Sequence, residues 1–271
     1  MKNKSVFFSN LKIIPGLLII AGWWSCQEVI HVDLNSALPK LIIDGSVSDQ
    51  PGPYQVYLSQ TVSYAQNNVF PPVSGAEVVI TDNALNSDTL VEVTPGTYQT
   101  NRLQGFSGRT YTLTVTNNHT VYTAISTMPS PVAIDTVIVK TRLSTRKKML
   151  SVIFFDPKGI PNYYRVLEKL INSKSPFQRI PQPVLGTFMT DGVLDGTRIE
   201  LLTFNQPSFY QFDAVLVSLQ CIDKNVYDYF MSADQSGNMS TTVSNPVTNI
   251  SNGALGYFSA YAVRYKKVVI H

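Results

Sequence analysis

What this sequence lacks narrows its class before any motif is read. Its longest apolar run, "IIPGLLIIAGWW" at residues 13 to 24, is about a dozen residues, short of the roughly 20 that a membrane-spanning helix needs. Cysteine is nearly absent: Cys26 and Cys221 are the only two, too few for a disulfide framework. The three histidines, His31, His119 and His271, stand apart from one another and from any Cys-x-x-Cys, so no zinc spacing exists. No Gly-x-Ser-x-Gly elbow occurs, because "GFSGR" at 105 to 109 has the wrong spacing, and there is no glycine-rich phosphate cradle. Charged residues make up only 14% of the chain, and Asp156, Glu168 and Glu200 sit singly in alternating segments, as on solvated strand faces. These absences leave no catalytic residue, no metal and no cofactor to assign, and a non-enzymatic protein is expected.

What is present starts with a leader. Lys2, Lys4 and Lys12 are the only charges before residue 27, the apolar run follows, and the small Ser25 precedes Cys26. That order is the pattern of a bacterial lipoprotein signal, in which the cysteine is lipidated and becomes the first mature residue. Trp23 departs from the leucine usual three positions before the cysteine. An ordinary secretory signal followed by a free thiol is the alternative. Several acyl chains on Cys26 anchor firmly where one chain is marginal. Residues 1–26 are therefore expected to be removed or modified, with Cys26 as the anchor.

The leader also carries the net charge. Taking its three lysines from the 21 basic residues leaves 18, equal to the 18 acidic ones. The sequence pI near 8.7 belongs to the precursor and gives no support for nucleic-acid binding. With Cys26 lipidated, Cys221 is the only thiol and no intrachain disulfide is possible. Its setting, "AVLVSLQCID", makes it a small buried hydrophobe.

Beyond the leader, short alternating runs bounded by Gly, Pro, Asn and Asp dominate, which is the signature of strands. "KLIIDGSVSD", "PYQVYLSQTVSY", "GAEVVITDN", "SDTLVEVTPGTYQT", "GRTYTLTVTNN" and "TVYTAISTM" give about seven strands with turn signals every ten residues or so. Residues 27–130 are expected to form an immunoglobulin-like sandwich. "TMPSPVAID" at 127 to 135 is a proline-stiffened boundary. Residues 131–271 then form a second β-rich domain, through "KMLSVIFFD", "NYYRVLEKLI", "FDAVLVSLQCID" and "GYFSAYAVRYKKVVI". One short helix is expected in "DKNVYDYFMSADQ", with Asp223 as N-cap, Lys224 and Asp228 at i and i+4, and Val226, Tyr229 and Phe230 on one face. The fold class is all-β with that single helix.

The order of motifs resembles a family of Bacteroidota outer-membrane lipoproteins that carry a domain of unknown function of the 4249 type. The resemblance rests on "CQEVIHVD", "KLIIDGSVSD", "PYQVYLSQT", "GAEVVITDN", "GTYQT", "GRTYTLTV", "YTAISTMPSP", "FFDPKGIPNYYRV", "VYDYF" and "NISNGALGYFSAY", in that order. It implies an outer-membrane, lipid-anchored protein at the cell surface, with the periplasmic face as the alternative. Such lipoproteins are often encoded with TonB-dependent transporters, so the implied partner is a TonB-dependent barrel or another outer-membrane protein. The family brings no catalytic or ligand-binding residues.

A few residues remain as candidates on their own chemistry. Tyr163–Tyr164 and Tyr257–Phe258 are adjacent aromatic pairs; neighbours in a strand point to opposite faces, so one ring of each lies outside the primary core. Such rings offer contact area to a partner or a sugar. Gly256 and its neighbours are the weaker choice of contact region. Asp191 and Asp195, each followed by glycine, read as turns ahead of a calcium loop. Thr89 and Thr136 match a short Asp-Thr-aliphatic acceptor for O-glycosylation. The expected role is a non-enzymatic accessory lipoprotein, with a glycan- or small-ligand-binding lipoprotein as the alternative.

Overall fold

Strand periodicity accounts for most of the architecture. The computed structural model describes residues 38–62, 69–142, 148–172, 186–203, 209, 212–238 and 245–271, and residues 38–271 form one compact unit. Cys26 and His31 lie outside the described residues. The protein is mostly strand, with one α-helix among the described residues.

The first eight strands are β1 (Leu41–Ser48), β2 (Gln55–Gln60), β3 (Glu77–Asp82), β4 (Ser87–Thr89), β5 (Val91–Thr94), β6 (Thr97–Gln99), β7 (Thr110–Asn117) and β8 (Thr120–Thr127). Turn chemistry sets their registers. Asn118 and His119 both have positive φ, at 47° and 65°, and make the two-residue hairpin turn between β7 and β8. Gly96, at φ 73°, does the same after Pro95 between β5 and β6.

Seven further strands follow: β9 (Ile134–Thr141), β10 (Lys148–Phe155), β11 (Tyr163–Asn172), β12 (Thr187–Thr190), β13 (Arg198–Leu202), β14 (Ala214–Ile222) and β15 (Leu255–Val269). Helix α1 (Lys224–Asn238) lies between β14 and β15. Asp223 caps it, accepting the Val226 N–H at 2.9 Å, and Lys224 pairs with Asp228 at 2.6 Å.

One long sheet organises everything, in the order β12-β11-β14-β15-β1-β2-β6-β5. Two smaller sheets, β4-β3-β7-β8 and β13-β10-β9, back it. The inward side chains of β15 serve both halves. Phe258, Ala260 and Ala262 pack in a first core with Val56, Ile80, Leu113 and Met128. Val268 and Ile270 reach a second core with Val132, Phe154, Val166 and Val217. The change of core falls inside the proline-stiffened segment, between Met128 and Val132. The sheet itself crosses that point, because β1 pairs in parallel with β15, Ile42 with Leu255 through Ser48 with Tyr261.

That pairing is unusually close at one place. Gly256 has φ 94°, and a Cβ there would lie 2.0 Å from the Ile43 carbonyl oxygen, so only glycine fits. The outer edge of β8 is also closed. Ser251 N–H and Asn249 and Asn252 side-chain amides donate to the carbonyls of Thr123, Ile125 and Val121, and Asp223 accepts from Thr127 N–H. An edge so occupied is unavailable for strand addition.

Candidate functional site

The aromatic pairs obey strand alternation. Tyr164 and Phe258 are fully buried, one in each core. A contact role for these two is corrected, because a side chain with no exposed surface offers nothing to a partner. Tyr163 and Tyr257 lie on the opposite face of the long sheet, half-buried against α1. Tyr163 meets Tyr227 at 5.2 Å between ring centroids, and Tyr257 meets Tyr229 and Phe230 at 4.9 and 4.8 Å.

Arg165 is drawn into this aromatic layer. Its guanidinium lies 4.2 Å from the Phe230 ring centroid and 5.6 Å from that of Phe188. Burial lowers its pKa, opposed by the Tyr257 hydroxyl, Tyr261 and Asp44. Next to it, Tyr57, Asp44 and Tyr257 stand side by side on β2, β1 and β15. Tyr57 is 47% exposed, and Asp44 is exposed by area while surrounding atoms raise its pKa by desolvation, against the Tyr257 hydroxyl and Arg165. Of this row, the Tyr57 ring and the Asp44 carboxylate face solvent, while α1 covers the Tyr257 ring.

A second constellation joins two loops at the end of β10. Asp156, Asp191 and Asp195 each place a carboxylate oxygen within 4.8 Å of the others, a donor set suited to a hard cation. Each also ties the loops together. Asp156 accepts from the Tyr164 hydroxyl and from Gly196 N–H at 2.9 Å, Asp191 from Asn162 N–H at 2.9 Å, and Asp195 from Gly159 N–H at 2.6 Å. Gly192 and Gly196 have positive φ; Asp191 caps a single 3-10 turn, Gly192–Leu194, and Asp195-Gly196 is a turn. The knotted loops present apolar side chains outward: Phe155 is 58% exposed, Ile160 54% and Val193 99%.

Burial corrects the reading of two lone acids. Asp156 and Glu168 are inside, not on solvated faces. Glu168 shares the inward face of β11 with Tyr164 and Val166, and that parity, i and i+2, was the available signal. Only Glu200 is exposed, paired with Lys140. Burial pushes the Glu168 carboxyl up to about 7, only partly offset by Thr203. Cys221 is buried as expected, and burial pushes its thiol up to about 12.

The acceptor threonines differ. Thr89 is exposed and Thr136 half-buried. The aspartate before Thr89 is structural: buried Asp88 accepts the backbone N–H groups of Asn101, Arg102 and Leu103 at 2.7 to 2.9 Å. His119 sits in its hairpin turn and His271 is exposed.

An open cleft of about 420 Å³ lies between β8, the start of α1 and residues 247 to 251. Its rim carries Ile125 and Val247, and its walls Asn225, Asp228 and Ser251. No helix among the described residues is long and apolar enough to cross a membrane. No curated protein matches the chain. A family model does, over residues 27–267, and its description is "Domain of unknown function (DUF4249)". That match takes in nearly all of the chain beyond Cys26, and the protein belongs to this family.

Proposed function

We propose that this protein is a non-enzymatic lipoprotein of the outer membrane, anchored through Cys26, that works as an accessory subunit of a TonB-dependent transporter or a larger outer-membrane complex. The observation that carries docking is the loop knot at the end of β10. Three aspartates spend their hydrogen bonds fixing a tip whose outward residues are Phe155, Ile160 and Val193. Large aliphatic side chains held rigidly in water cost free energy that burial against a partner returns, at about 25 cal/mol per Å2. The anchor rests on the sequence pattern alone: three lysines, the apolar run and Ser25 ahead of Cys26.

Affinity purification of the tagged protein from mildly solubilised outer membrane, with mass spectrometry of everything retained, tests the reading. A barrel protein in stoichiometric amount is expected, and its loss from a Val193→Asp, Ile160→Asp variant would place the contact at the tip. Recovery of the protein alone from parent and variant alike would refute docking. Mass analysis of the N-terminal peptide tests the anchor separately, with acyl chains on Cys26 expected.

A second reading, a glycan-binding surface lipoprotein, is favoured by Tyr57 and Asp44, side by side and exposed on β2 and β1. A neutral sugar can stack on a tyrosine ring while its hydroxyls donate to an adjacent carboxylate. Tyr57→Ala abolishing retention on a glycan array is the outcome it requires.

A further inference from the structure

A smaller cleft, about 340 Å³, opens at one end of the first sandwich. One wall is the β3–β4 turn at Asn86 and Ser87. The other is the β6–β7 loop with Arg102, Gln104 and Phe106, closed by Arg109 just before β7. Its lining holds two guanidinium groups and no carboxylate.

The nearby acids are behind the walls and already committed. Asp82 is buried and accepts from Ala84 and Asn86 N–H and from Arg109 Nη1 at 2.5 Å. Asp88 is buried under the β6–β7 loop, whose N–H groups it accepts. The ion pair with Asp82 engages Nη1 of a guanidinium that has five N–H donors. Arg109 also lies over the Phe106 ring, its guanidinium carbon 4.5 Å from the centroid. Arg102 is exposed and its side chain has no acidic partner among the described residues. The mature chain balances 18 bases with 18 acids, so an acid-free cleft with two arginines is a local departure.

We propose that this cleft binds an acidic sugar residue. Arg102 and the free edge of Arg109 hold its carboxylate, and the ring lies against Phe106, 48% of which is exposed. Planar guanidinium forks match a carboxylate in geometry as well as charge. An inorganic anion leaves Phe106 unused and fills little of a space that lies in the ~300–1,000 Å³ range of small-molecule sites. The site stands apart from the apolar loop knot, so it holds or fails independently of docking to a barrel.

The test uses the full chain in mild detergent, titrated with D-glucuronate, D-glucose and inorganic phosphate, read by melting temperature and calorimetry at low and high salt. Glucuronate is expected to raise the melting temperature, less so at high salt, while glucose leaves it unchanged and phosphate binds more weakly. Arg102→Gln, at an exposed position, keeps the unliganded melting temperature and weakens glucuronate about tenfold, the equivalent of one lost charge-assisted hydrogen bond. Phe106→Ala weakens glucuronate without changing phosphate. No response to glucuronate, an equal response to glucose, or an Arg102→Gln variant that binds like the parent overturns the site. Phosphate binding as tightly as glucuronate overturns the sugar ring's part in it.

Discussion

Glu168 carries a pH dependence that can be worked from the structure. The residue is 8% exposed, and among the described residues one of its carboxyl oxygens is buried with no hydrogen-bond partner. The other meets the Thr203 hydroxyl, which also lies 3.0 Å from the Leu150 carbonyl oxygen. A hydroxyl has one proton. Shared between Leu150 and Glu168, that proton only partly offsets the burial that raises the carboxyl pKa.

With a carboxyl at 4.5 unfolded and about 7 folded, the native state holds a proton that the unfolded chain has lost between those values. Stability from this group is therefore fully present below pH 4.5, falls as pH rises toward 7, and is flat above. At 1.36 kcal/mol per pKa unit, the fall amounts to about 3 kcal/mol. Glu168→Gln keeps the shape, retains an oxygen that can accept from Thr203, and does not titrate. Urea unfolding followed by circular dichroism is the assay, since both tryptophans, Trp23 and Trp24, lie outside the described residues. The variant is expected to match the parent near pH 4.5 and exceed it by about 3 kcal/mol at pH 8. A parent–variant difference that does not change with pH would show that Glu168 is ionised in the fold, and the reasoning would fail.

Three further outcomes follow from particular contacts. Asp223→Ala removes the α1 cap and the acceptor for Thr127 N–H together, and should cost about 2 kcal/mol in the same unfolding assay, with Asp223→Asn costing less. Cys221, buried with its thiol pushed up to about 12, should resist iodoacetamide in the native protein and react fast in urea; equal rates would contradict its burial. Lys224→Ala, by contrast, breaks an exposed, solvent-screened i,i+4 pair and should leave the urea midpoint essentially where the parent has it.

Where the sequence was legible, a local rule had no tertiary competitor. Alternation located the strands and put one ring of each aromatic pair in a core, as Tyr164 and Phe258 show. Asp223 with Lys224 and Asp228 announced the helix. Acids were harder, because an acid in an alternating run is read as the solvent side unless its parity is counted. Glu168 and Asp156 were misplaced for that reason. The two arginines of the small cleft, on either side of Phe106, gave no periodic signal at all. They meet because the β6–β7 loop folds over Asp88, a contact between side chain and backbone that no spacing encodes.

The hardest feature to see was the parallel pairing of β1 with β15, which joins residues more than 200 apart in sequence. Its one local trace is Gly256, and the trace can be tested. The position needs φ 94° and a backbone approach that leaves 2.0 Å between a Cβ and the Ile43 oxygen. Gly256→Ala combines forbidden backbone geometry with a clash against main chain, which cannot rotate away as a side chain can. The expected penalty exceeds about 4 kcal/mol, a large part of the 5–15 kcal/mol that holds a typical domain. Because β15 contributes to both cores, the damage should not stay local. A single cooperative loss of circular dichroism at much lower urea is expected. If only the first core were lost while β9 to β14 kept their amide-exchange protection, the two halves would be energetically separable and β15 would be a shared strand without being a shared support.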